Sequence, residues 1–193
     1  MRSPNDKRSK PVRLAFITVV AAVLACNDGQ RAVFSGLKPY RVPSVAMEPT
    51  IRQGEYAFAR SYSDSESPRR GDLIVFRYPR DGSTILCKRV VGMPGETVEI
   101  RARRLHLNGR PVSEAYANHR DATVYQTSAM LPEPYRSRDN FGPLTLTADQ
   151  YFVLGDNRDN SHDSRYWGAV PRHLIVSKIV SIGPRDGPLR NAE

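Results

Sequence analysis

From Tyr40 onward the chain alternates short apolar runs with turn residues. Tyr56–Arg60, Asp72–Tyr78, Thr84–Val91, Thr97–Arg101, Arg104–Asn108 and Tyr151–Leu154 read as strands, because apolar positions alternate and β-branched or aromatic residues recur. Asn108-Gly109 and Asp81-Gly82 are two-residue hairpin signals. Leu174–Ile182 reads as a last strand with one buried face. Pro132, Pro134 and Pro143 break residues 113–148 into loops, so that stretch reads as an insertion on a β core. The pattern predicts a mainly β fold with its helix confined to the N-terminal segment.

That N-terminal segment has its own pattern. Leu14 to Cys26 is a 13-residue run without a charged side chain. A membrane-spanning helix needs about 20 apolar residues, so the run is short for a span and fits the apolar region of a secretory signal. Three readings stay open: an uncleaved anchor aided by local lipid thinning, a cleaved signal, and a lipid-modified cysteine. For the third, Val23-Leu24-Ala25-Cys26 resembles the box before a bacterial lipoprotein cysteine, with Leu24 where a small residue is usual. In each reading the body lies outside the cytoplasm. Polar residues 27–35 read as a stalk.

Charge sharpens this picture. The net charge is +9, from 29 basic and 20 acidic residues. Arg2, Lys7, Arg8, Lys10 and Arg13 against Asp6 place +4 in residues 1–13 and leave +5 for the rest. A basic flank before an apolar run stays on the cytoplasmic side and faces anionic lipid. The chain has no RNP strand, zinc finger or basic heptad helix, so nucleic acid is not an expected partner. Two cysteines in 193 residues exclude a disulfide-dense scaffold and a cysteine-based zinc cluster. Cys26 at the membrane does not pair with Cys87, which reads as core. His106, His119, His162 and His173 lack ligand spacing, so neither metal nor cofactor is expected. Trp167 reads as packing.

Four blocks carry candidate chemistry: Val42-Pro43-Ser44-Val45-Ala46-Met47-Glu48-Pro49-Thr50; Arg69-Arg70-Gly71-Asp72-Leu73-Ile74-Val75-Phe76; Cys87-Lys88-Arg89-Val90-Val91-Gly92-Met93-Pro94-Gly95-Glu96; and Gly155 to Gly168, with Asp156 to Asp163 all polar. On a strand, Lys88 shares a face with apolar Leu86 and Val90. Such a lysine either snorkels to water or stays buried, where a neutral amine is a general base. Asp163 and Arg165 can pair or can each hold loop backbone. A polar loop after a strand is either a set of turns or the place where a β scaffold carries function.

In this order the blocks resemble the type I signal peptidase family. The motifs are Pro-Ser-x-x-Met-x-Pro-Thr, Arg-Gly-Asp with Phe76, Lys-Arg-Val-x-Gly-x-Pro-Gly, and Gly-Asp-Asn-Arg-Asp-Asn-Ser-x-Asp-Ser-Arg, from about Tyr40 to Ile182. Arg104 to Pro111 also resembles a hairpin of that family. The resemblance implies a serine endopeptidase of Ser/Lys dyad type in the bacterial cytoplasmic membrane, with its β domain on the extracytoplasmic side. Its partners would be membrane lipid and the signal peptides, or other extended segments, of exported proteins, cut after small residues. The implied fold is a mostly antiparallel β core with a small β cap. The organisation is then a basic tail 1–13, apolar segment 14–26, stalk 27–35, core 36–100 and 149–186, inserted cap 101–148 and tail 187–193.

The resemblance also implies roles. Lys88 matches the general base, Ser44 a serine that helps hold the oxyanion, Ser161 the serine that orients the lysine, and Asp163 with Arg165 a structural ion pair. Met47 and Pro49 match residues of the substrate-facing turn. The nucleophile position is Ala46, and alanine has no lone pair with which to form an acyl-enzyme. Three explanations stay open: an altered chain that traps substrate, a non-catalytic relative that still binds extended peptides, or a nucleophile moved to Ser44. An extended segment would put Ser44 and Ala46 on one face, ~6.5–7 Å apart.

Overall fold

The structure, a computed structural model, describes residues 36–126 and 130–192. The basic tail, the apolar segment 14–26 with Cys26, the stalk and the expected N-terminal helix lie outside the described residues. Among the described residues no helix is long and apolar enough to cross a membrane.

Among the described residues twelve strands follow one another: β1 (Lys38–Arg41), β2 (Tyr56–Ser61), β3 (Leu73–Arg77), β4 (Ile85–Gly92), β5 (Thr97–Arg101), β6 (Arg104–Leu107), β7 (Arg110–Pro111), β8 (Phe141–Thr145), β9 (Gln150–Leu154), β10 (Val170–Pro171), β11 (Ile175–Gly183) and β12 (Arg190–Asn191). The larger sheet has the order β1-β2-β11-β3-β4-β9-β10, with β12 paired to β11; the smaller has the order β7-β6-β5-β8. Their ladders are antiparallel, from β1–β2 to β6–β7. The protein is mainly β and antiparallel.

The strand faces explain the core. β3 is buried on both sides. Leu73 and Val75 pack with Met47, Ile51, Ala57, Ile179 and Ile182. Ile74 and Phe76 face the other way, toward Val90, Val153, Val170 and Ile175. A third cluster joins the small sheet to β9 through Val98, Ile100, Leu105, Leu107, Leu146 and Phe152. Burying three such clusters supplies the main driving force, at roughly 25 cal/mol for each Å² of apolar surface.

Several boundaries differ from those read in the sequence. The small sheet opens at Thr97, inside the segment read as core, because β5 pairs with both β6 and β8. Within 113–148, read as loops, Phe141–Thr145 is a strand despite Pro143. The tail after 187 contributes β12, which pairs with Ser181 and Ile182. Helix is not confined to the N-terminus: single helical turns form at Tyr135–Arg138 and Ser164–Trp167. Both are too short for the periodicity that announces a helix. In the second, the Asp163 side chain accepts from the Arg165 N–H at the helix start.

The hairpin turns follow their chemistry. Asn108 and Gly109 both have positive φ, 52° and 78°, as a tight two-residue hairpin requires. The β5–β6 turn does the same with Ala102 and Arg103, at φ 46° and 72°, without a glycine. Arg103 offsets that strain with bonds from its guanidinium to Asp139 Oδ1, the Asp121 carbonyl and the Thr123 carbonyl.

Candidate active site

Lys88 lies on β4 opposite Ile74 of β3, so its side chain shares the face of Leu86, Val90 and Ile74. It is only 5% exposed. It makes no hydrogen bond or ion pair with a described residue, which is unusual for a buried lysine. Cys87, its neighbour, points to the opposite face and packs against the Met47 cluster. Burial pushes its thiol up, away from thiolate chemistry.

On its other side β4 pairs with β9, with Arg89 opposite Leu154. Lys88 is therefore next to the point where β9 gives way to the loop at Gly155. Gly155 is buried, and a Cβ there would lie 2.2 Å from Ser161 Oγ and 2.5 Å from the Ala46 carbonyl oxygen. Ala46, Ser161 and the end of β9 thus meet around a position where only glycine fits. Ser161 is buried, and its hydroxyl makes no hydrogen bond of good geometry within the protein. The hydroxyl still contributes, behind Arg165, to the field that favours the Asp163 carboxylate.

The turn carrying Ala46 is fixed from the same loop. The Asn157 N–H donates to the Ala46 carbonyl at 3.1 Å, and Asn157 Nδ2 donates to the Val45 carbonyl at 3.2 Å. Thr50 Oγ1 donates to Asp156 Oδ2 at 2.5 Å. Asp156 is in turn gripped by Arg89, through Nε at 2.9 Å and Nη2 at 2.8 Å, with both side chains buried. A bidentate pair of this kind fixes orientation as well as charge. Met47 is buried in the core, and Pro49 is exposed on the turn.

Ser44 differs from what an extended segment predicts. Residues 44–46 bend into a turn, with the Glu48 N–H bonded to the Val45 carbonyl at 3.1 Å. Ser44 is exposed while Ala46 is buried, so the two do not share one environment.

Asp163 and Arg165 both pair and hold backbone. Arg165 Nε donates to Asp163 Oδ1 at 2.8 Å, and Nη2 donates to Oδ2 at 2.9 Å. Asp163 accepts from the Gly155 N–H at 3.1 Å, and Arg165 donates to the carbonyls of Arg138 and Arg158, each at 2.7 Å. Burial alone pushes the Asp163 carboxyl up; the Arg165 charge and hydrogen bonds reverse this and hold it below its ordinary value. Arg165 is held above its ordinary value by the same partner, against its own burial. His162 lies at the surface and stacks on Tyr166 at 5.5 Å between ring centroids; partial desolvation of its ring, with Arg80 and Lys88, holds it below the usual imidazole value against the opposing charge of Asp163. Trp167 packs between Phe76 and Tyr78.

Three contributors escaped the sequence reading. Gly155 and Asn157 stood in the polar block, but their function depends on a backbone from 110 residues earlier coming within contact. A glycine at the end of a buried strand was the available signal for close backbone approach. The Arg89–Asp156 pair had none, since sequence does not reveal which of many charges are buried together.

Ala46 and the buried Ser161 hydroxyl therefore meet at Gly155, beside which β4 carries the largely buried Lys88 side chain. Residues 12–183 match the family described as signal peptidase, peptidase S26. The signal peptidase I of Pseudomonas aeruginosa is 34% identical over 182 residues, covering 76% of this chain and 64% of that protein. Signal peptidase I V of Bacillus subtilis is 30% identical over 168 residues, covering 86% of this chain and 96% of that protein. A solved signal peptidase I from Enterococcus faecalis is 32% identical, with a TM-score of 0.45, covering 60% of this chain and 98% of that one. The chain spans 64% of the length of the Pseudomonas relatives. The family match over residues 12–183 takes in all four motif blocks, so the chain belongs to the peptidase S26 family of signal peptidases.

Proposed function

We propose that this chain is a signal-peptidase-type site that binds extended segments of exported polypeptides at the Ala46 turn and does not cut them. By the family resemblance, position 46 is where the attacking hydroxyl belongs, Lys88 is the base, Ser161 orients the amine, and Ser44 helps hold the oxyanion. The observation that carries the reading is the constellation around Ala46. The Lys88 side chain is largely buried on an apolar strand face, the buried Ser161 hydroxyl makes no hydrogen bond of good geometry, and the Ala46 carbonyl is pinned by Asn157. Unsatisfied buried polar groups cost stability and persist where a ligand or a reaction uses them. Alanine supplies no nucleophile, so the covalent step has no first bond to form. Residues 14–26 would attach the chain to the bacterial cytoplasmic membrane, with the β body on the extracytoplasmic side.

The test is equilibrium binding of a labelled peptide with an Ala-x-Ala segment, followed by separation of products. Saturable binding with an intact peptide is expected. Cleavage by the unaltered chain would contradict the silent reading, and its loss in Ser44→Ala would move the nucleophile to Ser44.

A further inference from the structure

The insertion is tied to the loop that holds Ala46. β7 ends at Pro111, and the Val112 N–H still donates to the Leu105 carbonyl of the small sheet at 2.9 Å. Beyond it the chain runs against the loop that follows β9. Asn118 lies parallel to Asn157: its N–H donates to the Asp156 carbonyl at 2.8 Å, and its carbonyl accepts from the Arg158 N–H at 2.9 Å. Asp159 accepts from the N–H groups of Arg120 and Asp121, at 2.6 and 2.8 Å. Arg120 also reaches the Ala46 turn itself, where Nη2 donates to Glu48 Oε2 at 2.8 Å.

One of these ties is a buried ion pair. Arg158 Nη1 donates to Glu114 Oε2 at 2.8 Å and Nη2 to Oε1 at 2.7 Å, with side chains 3% and 5% exposed. The remaining nitrogen, Nε, donates to the Gly155 carbonyl at 3.1 Å. A bidentate carboxylate fixes the plane of the guanidinium, so Glu114 decides where Nε holds Gly155. Gly155 is the point where Ser161 and the Ala46 carbonyl close in, and Asn157, the residue before Arg158, donates to that carbonyl. A carboxylate of the insertion is thereby linked, through one arginine, to both ends of the stretch that holds Ala46. Two charges taken out of water return little net stability. What such a pair supplies in addition is a fixed orientation.

We propose that Glu114 is a positioning residue: acting through Arg158, it sets residues 155–158, and with them the Ala46 carbonyl, in the geometry that receives an extended peptide. In Glu114→Gln the amide would set an N–H against a guanidinium N–H, donor against donor, and leave the buried arginine without its counter-charge. Nε would then lose its hold on Gly155. The proposal rests on the peptide-binding reading above and adds to it a determinant that lies in the insertion.

The experiment uses the full chain in detergent and a fluorescein-labelled peptide bearing an Ala-x-Ala segment. Peptide affinity and amide hydrogen exchange of residues 155–160 are measured without urea, where each variant is folded, and the urea midpoint is measured separately. Glu114→Gln should bind the peptide about tenfold more weakly, where a displacement of ~1 Å costs up to ~100-fold when alignment matters most. Its Asn157 and Arg158 amides should exchange at least about tenfold faster. Glu114→Asp keeps the charge and shortens the reach, so it should fall between in both readouts. Ile100→Val, in the small-sheet core, is the destabilised control: its midpoint should fall while its affinity stays within about twofold. If Glu114→Gln does not fold, Glu114→Asp against Ile100→Val decides by the same criteria. Unchanged affinity or unchanged exchange in a folded Glu114 variant overturns the positioning role and leaves the peptide-binding reading standing. An equal loss of affinity in Ile100→Val does the same, since the effect would then track stability alone. If the unaltered chain binds no peptide, both are overturned.

Discussion

Gly155→Ala is a small change placed where the site has no room. The added Cβ would stand 2.2 Å from Ser161 Oγ, 2.6 Å from Ser161 Cβ and 2.5 Å from the Ala46 carbonyl oxygen. The hydroxyl can rotate away, but the carbonyl is backbone, tied by the Asn157 N–H. Gly155 does not have the left-handed φ that would by itself penalise alanine, so the cost is steric. Overpacking of this kind costs ~2–3 kcal/mol, as the residue-46 turn or β9 must shift. With a urea slope of ~2–3 kcal/mol/M, the midpoint should fall by about 1 M. Urea denaturation followed by tryptophan fluorescence reads this through Trp167. The cause is separated by a double-mutant cycle with Ser161→Gly, which removes two of the three clashing atoms but leaves the Ala46 carbonyl. A coupling of at least ~0.5 kcal/mol, with partial recovery in the double variant, is expected. If Gly155→Ala lies within ~0.5 kcal/mol of the unaltered protein, the close approach of these three segments is refuted.

Two further outcomes follow from the charges beneath the site. Asp156→Ala leaves Arg89 buried without its carboxylate and should cost ~3–5 kcal/mol in the same denaturation assay, whereas Glu66→Ala, at the partly exposed Arg60 pair, should move the midpoint far less; equal shifts would contradict the buried grip. Asp163 is held below its ordinary value, so the unfolded chain takes up this proton first as pH falls. Its contribution is complete above about pH 4 and is lost as pH drops through the folded value. Stability measured from pH 6 down to pH 2 should fall less steeply in Asp163→Asn, and an unchanged slope would refute the assignment.

The central strands were legible because alternation and β-branched residues mark half-buried ladders, and β5 was read to the residue. Four of the five missed strands share a feature, which β12 (Arg190–Asn191) lacks. Pro39, Pro111, Pro143 and Pro171 lie in β1, β7, β8 and β10, and each of these is the terminal strand of its sheet. An edge strand does not need every N–H for a ladder, so proline is tolerated there and also keeps the edge from pairing further. Pro143 was read as a break and was instead the mark of an edge. In the site, Lys88 was legible from its apolar strand neighbours, and Asp163 with Arg165 from proximity in sequence. Asn157 and Gly155 were not, because their work is done on the carbonyls of residues 45 and 46, a contact set by the fold alone. The bend at 44–46 was hidden for a related reason: nothing local distinguishes an extended Ser-Val-Ala from one turned by hydrogen bonds from across the sheet.

The central claim is that the site lacks only its attacking hydroxyl, and Ala46→Ser tests it most directly. Incubate the unaltered chain, Ala46→Ser, and Ala46→Ser with Lys88→Met, each with a peptide bearing Ala-x-Ala, and follow cleavage by mass spectrometry. Oxyanion stabilisation and binding alone leave a serine hydrolase stripped of its triad only ~10³–10⁴-fold above water, so a restored nucleophile with a working base should raise the rate by at least about a hundredfold. The account predicts that rise in Ala46→Ser and its loss when Lys88→Met is added. A folded Ala46→Ser protein that binds the peptide and leaves it uncut would contradict it.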